Sequence, residues 1–97
     1  MSTYIVLGKF TQEGITSIKE SPNRLEGAKG LAKSLGGEIK QFYYTMGTYD
    51  FVAIIEAPDN ETMMKSLLIQ GSTGAIRTET LVAFPEDKTT EIIKGLP

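Results

Sequence analysis

Met46-Gly47-Thr48-Tyr49-Asp50-Phe51-Val52-Ala53-Ile54-Ile55-Glu56-Ala57-Pro58-Asp59 carries a turn, a strand and a helix start in fourteen residues. A glycine turn feeds a tyrosine and an aspartate into a strand, Tyr49 to Ala57, that ends at Pro58, with Asp59 placed to cap a helix. Phe51, Ala53 and Ile55 face one way and Val52 and Ile54 the other, because strand side chains alternate. Both faces are apolar, so both call for burial.

Working upstream, Glu38 to Thr45 reads as the strand that pairs with it. This strand has Ile39, Tyr43 and Thr45 on one side and Phe42 and Tyr44 on the other, and Met46-Gly47-Thr48 makes the pair a hairpin. Before that strand, Ser21-Pro22 is a helix start, and Leu25, Ala28, Ala32 and Leu35 repeat at helical spacing until Gly36-Gly37. Thr11 to Ile18 is one or two helical turns. Tyr4 to Phe10 is a first strand, with Gly8 marking a bulge or a close backbone approach. Downstream, Asn60 to Gln70 carries an apolar stripe of Met63, Met64, Leu67 and Leu68. Ala75 to Phe84 is the last strand, and Asp87 to Lys94 is a weak final helix.

The order β-α-β-β-α-β predicts an α+β, ferredoxin-like domain with an antiparallel sheet over residues 1–85, followed by a tail over 86–97. Right-handed connections put the segments Tyr4–Phe10 and Tyr49–Ala57 side by side in the middle of that sheet. Helices cover only one face of such a sheet. The first strand, with Ile5 and Leu7 opposite Tyr4, Val6 and Phe10, is as two-faced as the third. The simplest cover for the second face is another copy, which predicts a sheet-to-sheet homodimer or an assembly of dimers.

Composition removes whole classes of chemistry. The 97 residues include no cysteine and no histidine, so thiol nucleophiles, disulfides and iron–sulfur clusters are excluded, and so is the commonest base and metal ligand. No loop has the carboxylate spacing of a calcium or magnesium site, so no metal and no cofactor is expected. A formal charge of −2 with scattered basic residues argues against nucleic acid and against a membrane surface as partners. The chain is expected to be cytoplasmic.

Three constellations could carry function. Tyr49 and Asp50, with Tyr43 and Tyr44 across the hairpin, place a carboxylate among phenols. In an apolar cavity Asp50 would be a general base and Tyr49 a polarising group. The structural alternative is that Asp50 ties down the turn while the tyrosines pack with their hydroxyls at the rim. Arg77-Thr78-Glu79-Thr80 alternates, with Arg77 and Glu79 on one side. Arg77 would clamp an anionic ligand, or form a surface ion pair of little energetic weight. Ser21-Pro22-Asn23-Arg24 opens a helix, and Arg24 there would assist an anion or pair with Glu20.

The motifs also resemble a known family, the GYD-domain proteins, through Gly47, Tyr49 and Asp50 as a spaced glycine–tyrosine–aspartate. Further likeness lies in Phe10-Thr11-Gln12-Glu13-Gly14, Ser21-Pro22-Asn23-Arg24, Leu35-Gly36-Gly37 and Arg77-Thr78-Glu79-Thr80-Leu81. The likeness runs up to Phe84 and implies a dimeric α/β-barrel assembly; it implies no common activity. Three functions therefore stand side by side. The first is a small oligomeric domain that binds a small molecule between sheet and helices. The second is a cofactor-independent isomerase or oxygenase acting on an aromatic or lactone substrate. There Asp50 would be the base, Tyr49 or Tyr43 the polariser, and Arg24 or Arg77 the anion clamp. The third is a ligand-sensing regulatory domain that acts by contact.

Overall fold

A computed structural model describes residues 1–97. The elements are β1 (Ser2–Phe10), α1 (Gln12–Thr16), a 3-10 turn (Ile18–Glu20), α2 (Ser21–Ser34), β2 (Glu38–Tyr44), β3 (Phe51–Ala57), α3 (Asn60–Gly71), β4 (Ile76–Ala83) and α4 (Glu86–Lys94). The strands form one antiparallel sheet in the order β2-β3-β1-β4, with β1 and β3 central as the two-faced strands require. This is the ferredoxin-like arrangement.

Side-chain alternation and strand pairing sort the sheet into two faces. Tyr4, Val6, Phe51, Ala53 and Ala57 are buried on the helix side with Met63 of α3, and they make the core. Tyr4 is the most deeply buried large side chain, and its hydroxyl donates to the Asn60 side-chain oxygen at 2.6 Å, so the phenol joins β1 to the start of α3 without an unpaired polar group. Gly8 marks a close approach, not a bulge. A Cβ on it would overlap the Phe51 ring, which fills that space. The bulge falls instead in β2 between Ile39 and Gln41. It turns Ile39 to the same side as Phe42 and Tyr44, where plain alternation places it with Tyr43.

Helix ends follow their caps. Thr11 accepts from the Gly14 amide and Asp59 from the Thr62 amide, at 3.1 and 2.8 Å. That amide holds the Asp59 carboxyl below the usual aspartate range. Ser21 behaves differently from a cap. Its backbone is already helical, Glu20 occupies the cap position without a side-chain bond, and the Ser21 hydroxyl turns inward. On α3, Met63 is buried, whereas Met64 and Leu68 are more than half exposed, so only half of the expected stripe reaches the core.

The other sheet face is uncovered. Paired residues run across it in two rows, Gln41–Ile54–Ile5–Leu81 and Tyr43–Val52–Leu7–Glu79. No residue of α4 is buried, and Ile92 and Ile93 stay more than half exposed, so the tail does not bury its apolar side chains against that face.

Candidate functional site

Tyr49 and Asp50 lie in the hairpin connection just before β3, and not inside the strand. The loop is closed by the Thr45 amide donating to the Asp50 carbonyl at 2.8 Å and the Thr45 hydroxyl donating to the Tyr49 carbonyl at 2.6 Å. Gly47 takes φ +114°, a conformation that side chains disfavour, and so lets the chain reverse.

From this loop the side chains diverge. The Asp50 carboxylate accepts the Phe10 amide at 2.9 Å. The Tyr49 hydroxyl crosses the sheet end to donate to the Glu79 carboxylate at 2.5 Å, and Lys9 Nζ sits 5.5 Å from the centre of its ring. The Glu79 hydrogen bond and negative charge push the Tyr49 phenol above its ordinary range, because both oppose a phenolate there. Tyr43 is exposed on the open face, paired with Val52. Tyr44 is on the helix side, hydrogen-bonded at 2.9 Å to the Ser21 hydroxyl. The three tyrosines and Asp50 therefore do not meet in one cavity.

The arginines are separated as well. Arg77 donates to the Gly71 and Ile76 carbonyls at 3.5 and 3.2 Å. Arg24 donates to the Ser17 hydroxyl at 2.9 Å and the Ser17 carbonyl at 3.5 Å, while Glu20 takes Asn23 instead. Neither arginine has an acidic partner; the two ion pairs are Lys29–Glu26 and Lys40–Glu38.

The principal cavity lies between the sheet and the pair α2/α3, with a volume of about 320 Å³. Its floor is aromatic. Phe42 stacks on Phe51 with centroids 5.2 Å apart and planes 20° apart, and Phe10 lies 5.8 Å from Phe51. Leu25, Gly27, Ala28 and Ala32 of α2 and Met63 and Leu67 of α3 form the walls. Ser21, Ser66, Gln70 and Thr78 supply neutral polar groups, and Arg24 is the single charged residue in the lining. Of the candidate site residues Tyr43, Tyr44, Tyr49, Asp50, Arg24 and Arg77, only Arg24 lines this cavity, beside Ser21 and Thr78 from the same two sequence stretches as the arginines. The legible signal for it is on α2, where Ala28 and Ala32 stand among the sheet-facing positions and leave space above the phenylalanines that larger side chains would fill.

No helix is long and apolar enough to cross a membrane. No cluster of three or more acidic side chains could hold a metal ion.

Comparison with known proteins agrees with this architecture. The chain superimposes on the crystal structure of MtbAldR with a TM-score of 0.68 at 10% identity, covering 88% of this chain and 53% of that one, which is a likeness of fold. It also matches the crystal structure of TTHA0845 from Thermus thermophilus, with a TM-score of 0.50 at 27% identity over 88% of this chain and 95% of that one. A Thermus thermophilus protein named "Glutamine synthetase and cystathionine beta-lyase binding protein" is 35% identical over 86 residues, 88% of this chain and 90% of the relative. The model of the GYD domain matches residues 4–93, so the match runs past Phe84 into α4. With its hairpin glycine, tyrosine and aspartate at Gly47, Tyr49 and Asp50, the chain belongs to the GYD-domain family.

Proposed function

We propose that this chain is a small binding domain with no reaction of its own. Two copies join at the open sheet faces, each cleft takes a small molecule, and the assembly contacts partner proteins. The observation that carries this reading is the apolar second face of the sheet, where Ile5, Leu7, Val52 and Ile54 of the two central strands are only partly buried and the tail's Ile92 and Ile93 stay exposed. A patch of this kind on a short chain is a docking surface. A second copy is the occupant because the face is its own complement under a two-fold axis, and because a domain of about this size gains needed burial by pairing.

The name of the 35%-identical relative supports the protein-partner part, since that protein is named for binding two enzymes. The place of Asp50 favours binding over the isomerase or oxygenase reading: it does not line the cleft, and a base must lie within hydrogen-bond reach of its substrate.

Light scattering at micromolar concentration tests the assembly. The expected mass is twice the 10.6 kDa of the chain. Ile54→Lys on β3 and Leu81→Lys on the edge strand should each yield folded monomers. A folded wild-type monomer under these conditions would overturn the reading.

A further inference from the structure

The cleft described above combines features that specify a ligand class. Its floor is the Phe42–Phe51 stack, its walls are aliphatic, and its lining carries one positive charge and no negative one. The guanidinium of Arg24 is held by Ser17 alone, with no carboxylate to neutralise it. Resting on the reading of this cleft as a small-molecule site, we infer that its ligand is an apolar monocarboxylate of the arylalkanoic acid type. The ring lies on Phe42 and Phe51, and the carboxylate meets Arg24 at the cleft rim.

Each part of that class has a physical reason. A carboxylate matches the planar guanidinium fork, and such charge-assisted bonds are about twice as strong as neutral ones. An amino acid fits poorly, because its ammonium would enter a lining without any aspartate or glutamate. A dicarboxylate would leave its second charge among phenylalanines, and a phosphate would bring more charge than one arginine answers. The cavity of about 320 Å³ stands at the small end of ligand pockets, roughly 300–1,000 Å³, which suits one ring and a short acid chain. Ser21, buried in the wall and bonded to Tyr44, fixes that side of the cleft by joining α2 to β2.

The test uses phenylacetate and its neutral isostere phenylacetamide as probes, with amide NMR titration and calorimetry on wild type, Arg24→Gln and Arg24→Lys. Arg24 is exposed, so both variants should keep the wild-type spectrum away from the cleft. Phenylacetate should shift the resonances of Leu25, Phe42, Phe51 and Leu67. Arg24→Gln should weaken its binding at least tenfold, with Arg24→Lys intermediate. Phenylacetamide should bind at least tenfold more weakly than the acid and be indifferent to Arg24. If the amide binds as well as the acid, or Arg24→Gln keeps wild-type affinity, the cleft remains a binding site and the carboxylate inference falls. If neither probe shifts those residues at millimolar concentration, both fall.

Discussion

The Asp50 carboxylate accepts the backbone N–H of Phe10 at 2.9 Å, and the Asp50 amide itself donates to the Gly8 carbonyl at 2.7 Å. One loop residue is thus fastened twice to the end of β1, so the motif aspartate positions the hairpin against the central strand. Asp50→Ala leaves the Phe10 amide without its acceptor and should cost about 1–3 kcal/mol. Asp50→Asn keeps an acceptor oxygen and should cost less. Thermal melts check the order: an unchanged melting temperature for Asp50→Ala would show that the fastening carries no stability.

The contact between Gly8 and Phe51 predicts a steep local cost. Gly8→Ala puts a methyl group into the Phe51 ring and should destabilise by about 1–3 kcal/mol or more, as overpacking does. Adding Phe51→Leu should recover part of that loss, a coupling measurable by a double-mutant cycle. Gly30, inside α2, has open space around it, so Gly30→Ala should stabilise by up to about 1 kcal/mol. Equal effects at the two glycines in urea unfolding would contradict the packing described.

Tyr49 and Glu79 give a pH signature. The raised Tyr49 phenol is protonated in both folded and unfolded states below the ordinary value of 10.0, so its contribution is fully present there. It is lost as the pH rises through the higher folded value. The stability difference between wild type and Tyr49→Phe should therefore be constant from neutral pH to about 9 and shrink above 10. Ultraviolet titration of Glu79→Gln should show one tyrosine ionising at lower pH than in wild type. An unchanged titration would remove Glu79 as the cause.

Helix α4 has no buried residue, and its apolar side chains Ile92 and Ile93, with Leu96 just beyond, are all more than half exposed. Residues 1–85 should then fold alone. Removing 86–97 should leave the amide NMR spectrum of the sheet unchanged and the stability within about 1 kcal/mol, the range of changes that touch no core contact. Collapse of the sheet spectrum would show that the tail supports the domain.

Fold and site are legible in the sequence to different degrees, for identifiable reasons. The central place of β1 and β3 is readable because Ile5, Leu7, Val52 and Ile54 are apolar where a solvent-facing strand would be polar. The side of the sheet taken by Ile39 is not, because a bulge at Lys40 resets the alternation without any glycine or proline to announce it. Tyr49 and Asp50 read as strand because extended loop residues and strand residues share the same local preferences; only the bonds to Phe10 and Glu79 separate them. Ser21 is a cap by residue type, yet the nearby Tyr44 hydroxyl, far along the chain, takes its side chain. The cleft is hidden for the same reason: it depends on Ala28 and Ala32 of α2 facing the sheet, and on a stack of phenylalanines from two strands.

The most direct test of pairing through the open sheet face is an isotope-filtered NOE experiment on a mixture of ¹³C-labelled and unlabelled chains. Cross-peaks are expected between copies among the methyl groups of Ile5, Leu7, Val52, Ile54 and Leu81. Their absence, with tumbling appropriate to a folded 10.6 kDa particle, would show that the chain does not pair through this face.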